Sequence, residues 1–317
     1  MLHMNNGVVI FGAGAEAKRV YDFLKYIGKD NLIEGFCSND ITGEKKYYHK
    51  PARGFSYYSG RRKLFIIGVQ RDDFRNQIKT QLESYGETYF DDVREWLIQE
   101  GMSSIEFERS YCAYFHIESM NYYFDVAEND DAMNTFWGED SAFFQYFRKL
   151  DLTNVIELAC GRGRHVQKYI NNAKSITLVD ILKKNIDYCK NRYGDGDGKI
   201  KYYQNNGYNL EELEQDTYTS LFSYDAMVHF EMFDIYEYLK DMHRVMKKGG
   251  MALLHHSNSS DDYQATFRSN KNVHSRSFMS KELFAYLAYK VGFNVVEQRV
   301  IDWGGSKNLD CISLIMK

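Results

Sequence analysis

The chain has 317 residues, with 40 Lys and Arg against 44 Asp and Glu, a formal net charge of -4. That balance argues against a nucleic-acid backbone or an anionic membrane as the main partner. With 44% hydrophobic and 26% charged residues it is neither disordered nor fibrous. Five cysteines without framework spacing read as reduced thiols in a cytoplasmic protein. The start Met1–Asn6 lacks a signal-peptide pattern, and no apolar run approaches the ~18 residues of a membrane helix. At about 150 residues per domain, the length predicts two domains.

The first predicted unit spans residues 1–100. Val8-Val9-Ile10-Phe11 is an apolar run that ends in Gly12-Ala13-Gly14-Ala15-Glu16-Ala17, followed by an amphipathic stretch from Ala17 to Tyr26. Further apolar runs lie at Leu32–Phe36 and Leu64–Gly68, a helical pattern at 71–85, and a last short edge strand at Thr88–Phe90. Strands alternating with helices predict a parallel sheet with crossover helices, a small Rossmann-like domain. Residues 101–150 read as a connector leading into helices, where Phe136, Trp137, Phe143, Phe144 and Phe147 recur at helix-like spacing for packing.

The second unit, 151–317, has predicted strands at 154–159, 175–179, 200–203, 222–228, 250–255, 294–301 and 310–316. Helical patterns fall at 164–171, 181–192, 232–247 and 280–291. The last two strands are joined only by a short link around Gly304-Gly305, which requires an antiparallel pair. The fold class is therefore α/β: two Rossmann-like doubly wound domains, the second with a reversed strand near its end.

The run Glu157-Leu158-Ala159-Cys160-Gly161-Arg162-Gly163-Arg164 sits where a strand meets a helix. Glycines there let the backbone turn sharply and approach a ligand, and a helix N-terminus favours electron-rich groups. Val179-Asp180 closes the next strand, placing an acid 23 residues after Glu157, about where one binds ribose hydroxyls. With these residues the run from Val155 to Asp180 resembles motif I and the acidic strand end of class I S-adenosylmethionine (SAM)-dependent methyltransferases. The resemblance covers about residues 130–317. It continues through Tyr203-Gln204-Asn205-Asn206-Gly207, with Asn206 where an Asp is common, and through Tyr224-Asp225-Ala226-Met227-Val228-His229-Phe230-Glu231. Arg244-Val245-Met246-Lys247-Lys248-Gly249-Gly250 resembles the helix-to-strand turn of these enzymes. His255-His256-Ser257-Asn258, Trp303 and Asp310–Ser313 are similar to methyltransferases of surface-polysaccharide sugar biosynthesis. Ala159 departs from the pattern, standing where the first glycine is commonest.

The resemblance implies methyl transfer from SAM, leaving S-adenosylhomocysteine (SAH). It places Glu157, Ala159, Gly161 and Gly163 at the methionine end, Asp180 at the ribose, Asn206 and Gly207 at the adenine, and Asp225 at the start of the covering loop. Cys160, without a His or Asn partner pattern, reads as a packed residue rather than a nucleophile. A hydroxyl acceptor needs a base, and His suits working pH. His229 is the expected base or acceptor-orienting residue. Glu231 is expected beside it on an extended segment, with His255 or His256 across the cleft. A divalent ion is the rival use of His229, Glu231, Asp225, His255, His256 and Asp310, although their spacing matches no compact metal motif, and no metal is assigned.

Gly12, Gly14 and Ala17 form a G-x-G-x-x-A loop between strand and helix, the context for a dinucleotide. Over about residues 7–70 the first unit resembles the Rossmann-like N-terminal domains of sugar-modifying acyltransferases, where such domains hold a nucleotide-sugar. The leading expectation is a cytoplasmic SAM-dependent O-methyltransferase acting on a small molecule, a sugar or nucleotide-sugar of a surface glycan, with homo-oligomerisation open. Two alternatives stand beside it: a nicotinamide-dependent oxidoreductase or epimerase run by the first unit, and a first unit that recruits the acceptor. The oxidoreductase reading lacks a well-placed Tyr-x-x-x-Lys, since Tyr21 and Lys25 fall on the helix beside the glycine loop.

Overall fold

Val8–Phe11 is wholly buried because it forms the centre of a sheet, β1. The computed structural model describes residues 7–119, 121–260 and 276–317. The chain divides into two compact units, Met1–Tyr114 and Phe115–Lys317. In the first, β1 is followed by α1 (Ala15–Tyr26), β2 (Ile33–Ser38), β3 (Glu44–Tyr47), β4 (Lys50–Gly54), α2 (Phe55–Tyr58), β5 (Leu64–Ile67), α3 (Asp72–Ser84), β6 (Thr88–Phe90) and α4 (Val93–Gln99). The strand order is β3-β4-β2-β1-β5-β6, and only the β3–β4 pair is antiparallel. That hairpin escapes the sequence patterns because Glu-Lys-Lys-Tyr is exposed and polar at the sheet edge, with no alternation to read. Pro51 is tolerated in β4 because ladder pairing to β2 begins one residue later, at Ala52.

The unit boundary falls within α5 (Ser104–Ser119). The supposed connector is therefore helical, and continues as α6 (Asn121–Ala127), α7 (Asp130–Trp137) and α8 (Ala142–Phe147). Ser141 caps α8 by accepting the Phe144 amide. Phe136, Phe143 and Phe147 enter the core of the second unit as their spacing predicts, with Phe143 against Tyr224 at 4.2 Å between centroids. Each such aromatic pair adds about 0.5–1.5 kcal/mol beyond its burial.

The second sheet is built from β7 (Val155–Leu158), β8 (Ile176–Asp180), β9 (Ile200–Gln204), β10 (Tyr218–Ser223), β11 (Met246–Ser257), β12 (Asn294–Trp303) and β13 (Ser306–Met316). Their order is β12-β13-β11-β10-β7-β8-β9. The strands β9-β8-β7-β10-β11 are parallel, while β13 runs antiparallel to both β11 and β12, the reversed strand that the short Gly304-Gly305 link demands. The helices between them are α9 (Val166–Tyr169), α10 (Lys183–Tyr193), α11 (Met232–Val245) and α12 (Lys281–Val291). Sequence order reverses between β7 and β10, and such a switch point opens a crevice at the strands' C-terminal ends.

One strand differs from its expected place. The fourth was predicted at 222–228, but β10 ends at Ser223 and a 3-10 turn follows at Met227–His229. The apolar Ala-Met-Val run reads like strand, yet Met227 and Val228 bury themselves from a turn instead.

Candidate cofactor and acceptor site

β7 is buried at all four positions, so its third residue, Glu157, is an acid carried into the core. Oε2 accepts the Tyr169 hydroxyl at 2.6 Å, while Oε1 is buried with no partner among the described residues. Burial, only partly offset by that hydrogen bond, pushes the carboxyl up to about 8. The chain then turns through Ala159 at φ +58°, a left-handed conformation that costs an L-residue about 1–2 kcal/mol. A first glycine would avoid this strain.

Gly161 also has positive φ, +55°, and a Cβ there would meet Phe124 Cε1 at 2.9 Å. Its amide donates to Asp180 Oδ2 at 2.9 Å. The other oxygen, Oδ1, takes the Leu182 amide at 2.8 Å and Asn185 Nδ2 at 3.1 Å. Asp180 thus ties the end of β8 to the glycine loop, and burial against these donors leaves it raised to about 6. The Gly163 carbonyl accepts the Tyr193 hydroxyl at 2.7 Å. Cys160 is buried, and its neighbour Cys189 together with desolvation hold its thiol well above the ordinary value. It is packed, not poised. Across the crevice Asn206 is exposed, its side-chain oxygen accepting the amides of Tyr208 and Asn209, with Gly207 next to it in the same turn.

At the end of β10, Asp225 adopts φ +57°. Its Oδ2 accepts Arg164 Nη2 at 3.0 Å and the Tyr123 hydroxyl. Among the described residues nothing donates to Oδ1. Its amide donates to His255 Nδ1 at 3.1 Å. That contact fixes the His255 proton on Nε2, which faces Asp310 Oδ2 at 3.2 Å. Arg276 grips the same carboxylate with bonds of 2.8 and 2.7 Å. Burial would raise Asp310, but the hydrogen bonds from His255 and Arg276 outweigh it and hold the carboxyl below its usual value. The Tyr224 ring stacks on His255 at 4.7 Å, with Trp303 on its other neighbour Phe136 at 5.8 Å and 5°.

The histidines take places the sequence does not reveal. His255 and His256 are both fully buried. His256 Nδ1 donates to the Ser257 carbonyl at 2.8 Å and Nε2 accepts from Ser313 Oγ at 2.8 Å, while its ring stacks on Phe284 at 4.0 Å. Burial drops it to about 3. Neither ring has a nitrogen left over for an acceptor. His229 ends the 3-10 turn and is half-buried. Glu231 is not its strand partner but the N-cap of α11, accepting the Phe233 amide at 2.7 Å, and burial raises its carboxyl. Among the described residues no three His, Cys, Asp or Glu gather as a metal ion would need. None of the described helices is long and apolar enough to cross a membrane.

In the first unit, Gly12 has φ +147° and its missing side chain lets the Gly68 carbonyl approach, since a Cβ would lie 2.4 Å from that oxygen. Ala17 packs beside it, fully buried. Gly14 precedes α1, and a Cβ there would meet nothing within 4 Å. Gly12 and Ala17 therefore have a packing reason of their own.

Three groups at the second site escape sequence reasoning: Tyr123, Phe124 and Arg164. The first two lie in what reads as a connector, and only their contacts with the distant Asp225 and Gly161 reveal them.

Comparison with known proteins bears on the second unit. Residues 155–250 match the family model of a methyltransferase domain. No curated protein matches the chain. Among solved structures, it is similar to a SAM-dependent methyltransferase from Archaeoglobus fulgidus at 14% identity, covering 62% of this chain and 100% of that one, TM-score 0.47. It is likewise similar to an S-adenosylmethionine-dependent methyltransferase from Mesorhizobium loti at 11% identity, covering 55% and 97% with TM-score 0.46. The matched residues contain β7, the glycine loop, β8 and β10.

Proposed function

We propose that this SAM-dependent methyltransferase transfers the methyl group to a hydroxyl oxygen of a sugar or nucleotide-sugar. The residues fit the donor: Glu157 Oε1 is without a partner among the described residues, and once the carboxyl ionises the ammonium of SAM is a donor that would satisfy it. Gly161, Gly163 and the strained Ala159 shape the methionine end, Asp180 the ribose side, Asn206 and Gly207 the adenine side. Bound SAM supplies a methyl group already activated on a sulfonium, so the protein's part is mostly alignment.

The observation that carries the acceptor reading is Asp225. Its carboxylate stands just past the end of β10 with one oxygen fixed by Arg164 and Tyr123 and the other uncommitted among the described residues. An uncommitted carboxylate oxygen orients a hydroxyl donor. Half-buried Trp303 is the aromatic surface assigned to a sugar ring, because Tyr224 is buried between Phe143 and His255. His229, on the turn after Asp225, is the candidate base. Taken by itself, the first unit is a candidate holder of a nucleotide, because its strand order also reverses, between β1 and β5, beside the open Gly14.

The test is SAH release from SAM over a panel of nucleotide-sugars, free sugars, small phenols and amines. Turnover confined to sugar hydroxyls, and lost in His229→Ala while SAM still binds, is the expected result. Turnover on amines or phenols alone would overturn it.

A further inference from the structure

We propose that Tyr123 and Phe124 of α6 are positioning residues of the donor site, holding the glycine loop from outside the sheet and linking it to the acceptor end of β10. The inference rests on the reading of the second unit as a SAM site.

Phe124 lies on the bare face of Gly161, filling the space a side chain would need. The Arg162 guanidinium sits over that ring at 4.7 Å and its Nη1 lies 3.4 Å from Asp125. Tyr123 reaches the other way, donating to the same Asp225 oxygen that Arg164 holds. Arg164 Nη1 also lies 3.4 Å from the Ala127 carbonyl. Arg192 closes the set, pairing with Glu128 at 2.8 Å and contacting the Arg162 carbonyl at 3.3 Å.

Three arginines in or beside the glycine loop thus converge on one short helix and the residue that follows it. The helix does not need them for its own burial alone, because Asp125 and Val126 are exposed. What the contacts achieve is to fix the loop: with Phe124 seated, Gly161 keeps the direction of its amide toward Asp180. With Tyr123 on Asp225, the covering helix and the acceptor carboxylate hold one arrangement. A group that pre-orders a binding loop is felt mainly in the dissociation rate of what the loop holds.

SAH binding to the purified full chain tests this without needing the acceptor. Phe124→Ala should weaken SAH by about tenfold in calorimetry, with the loss in the dissociation rate by stopped flow. Phe124→Leu should restore most of the affinity, and Tyr123→Phe should speed dissociation by about threefold to tenfold while leaving the ligand-free melting temperature unchanged. Affinity and dissociation rate equal to wild type in both Phe124→Ala and Tyr123→Phe would overturn the proposal. Tyr123→Phe, which removes only a hydroxyl, keeps the test open if Phe124→Ala fails to fold. Wild-type protein that does not bind SAH at all would instead sink the donor reading beneath it.

Discussion

Replacing Glu157 by Gln probes the most unusual group in the second unit. A carboxyl with an ordinary value of 4.5, pushed to about 8 by burial, is protonated in the fold while the unfolded chain ionises. Because the folded value is raised, its contribution to stability is fully present below pH 4.5 and is lost as pH rises through 8. Over that window the upper bound on the loss is about 5 kcal/mol, at about 1.4 kcal/mol for each pH unit. Glutamine has nearly the same shape, accepts the Tyr169 hydroxyl equally well, and does not titrate.

The assay is urea unfolding of wild type and Glu157→Gln at pH 5 and pH 9, without ligand. At pH 5 the two should lie within about 1 kcal/mol of each other, because both carry a neutral group at Oε1. At pH 9 the variant should be the more stable by a few kcal/mol. Asp180, raised to about 6, titrates in both proteins, and its repulsion of an ionised Glu157 adds to the loss at high pH in the wild type alone. Saturating SAM should then reverse the order at pH 9, since its ammonium pairs with an ionised Glu157 but not with Gln. A difference between the proteins that stays constant from pH 5 to pH 9 would refute the neutral buried carboxyl.

Two further substitutions test the loop. Asp180→Ala removes the acceptor for the amides of Gly161 and Leu182, and should weaken SAM binding at least about tenfold, or 1.4 kcal/mol, by calorimetry; unchanged affinity would break the donor-site assignment. Ala159→Gly relieves a left-handed alanine at φ +58°, recovering about 1–2 kcal/mol, less about 0.4–1 kcal/mol for glycine's freedom when unfolded. The net should lie between zero and a gain of about 1.6 kcal/mol, read as a rise of up to a few degrees in melting temperature, and a lower melting temperature would contradict it.

What the sequence discloses is what local rules control. Val155-Ile156-Glu157-Leu158 announces a central strand because every position is apolar or headed for burial, and Asp180 announces its partner because it closes the neighbouring strand. The link at Gly304-Gly305 is too short for a crossover, so β13 had to run backwards. The β3–β4 hairpin is silent because an exposed edge strand has no burial pattern to print. Tyr123 and Phe124 are silent for a different reason: a residue's role opposite Gly161 and Asp225 is set by folding, not by its neighbours in sequence.

The histidines show how residue type misleads when hydrogen-bond capacity is left out. Imidazole has two nitrogens, and once both are engaged it can neither take an acceptor's proton nor orient its hydroxyl. His255 spends one nitrogen on the Asp225 amide and the other on Asp310, and His256 spends both on Ser257 and Ser313. His255 still matters, because it accepts the Asp225 amide and is itself anchored by Asp310, which Arg276 holds in turn. The group with spare capacity is Asp225 itself. Arg164 and Tyr123 share one of its oxygens, and among the described residues nothing donates to the other. Under the proposed reading a polar acceptor supplies that partner, so the carboxylate beyond the end of β10, rather than either buried histidine, is the group to vary first in the search for the acceptor.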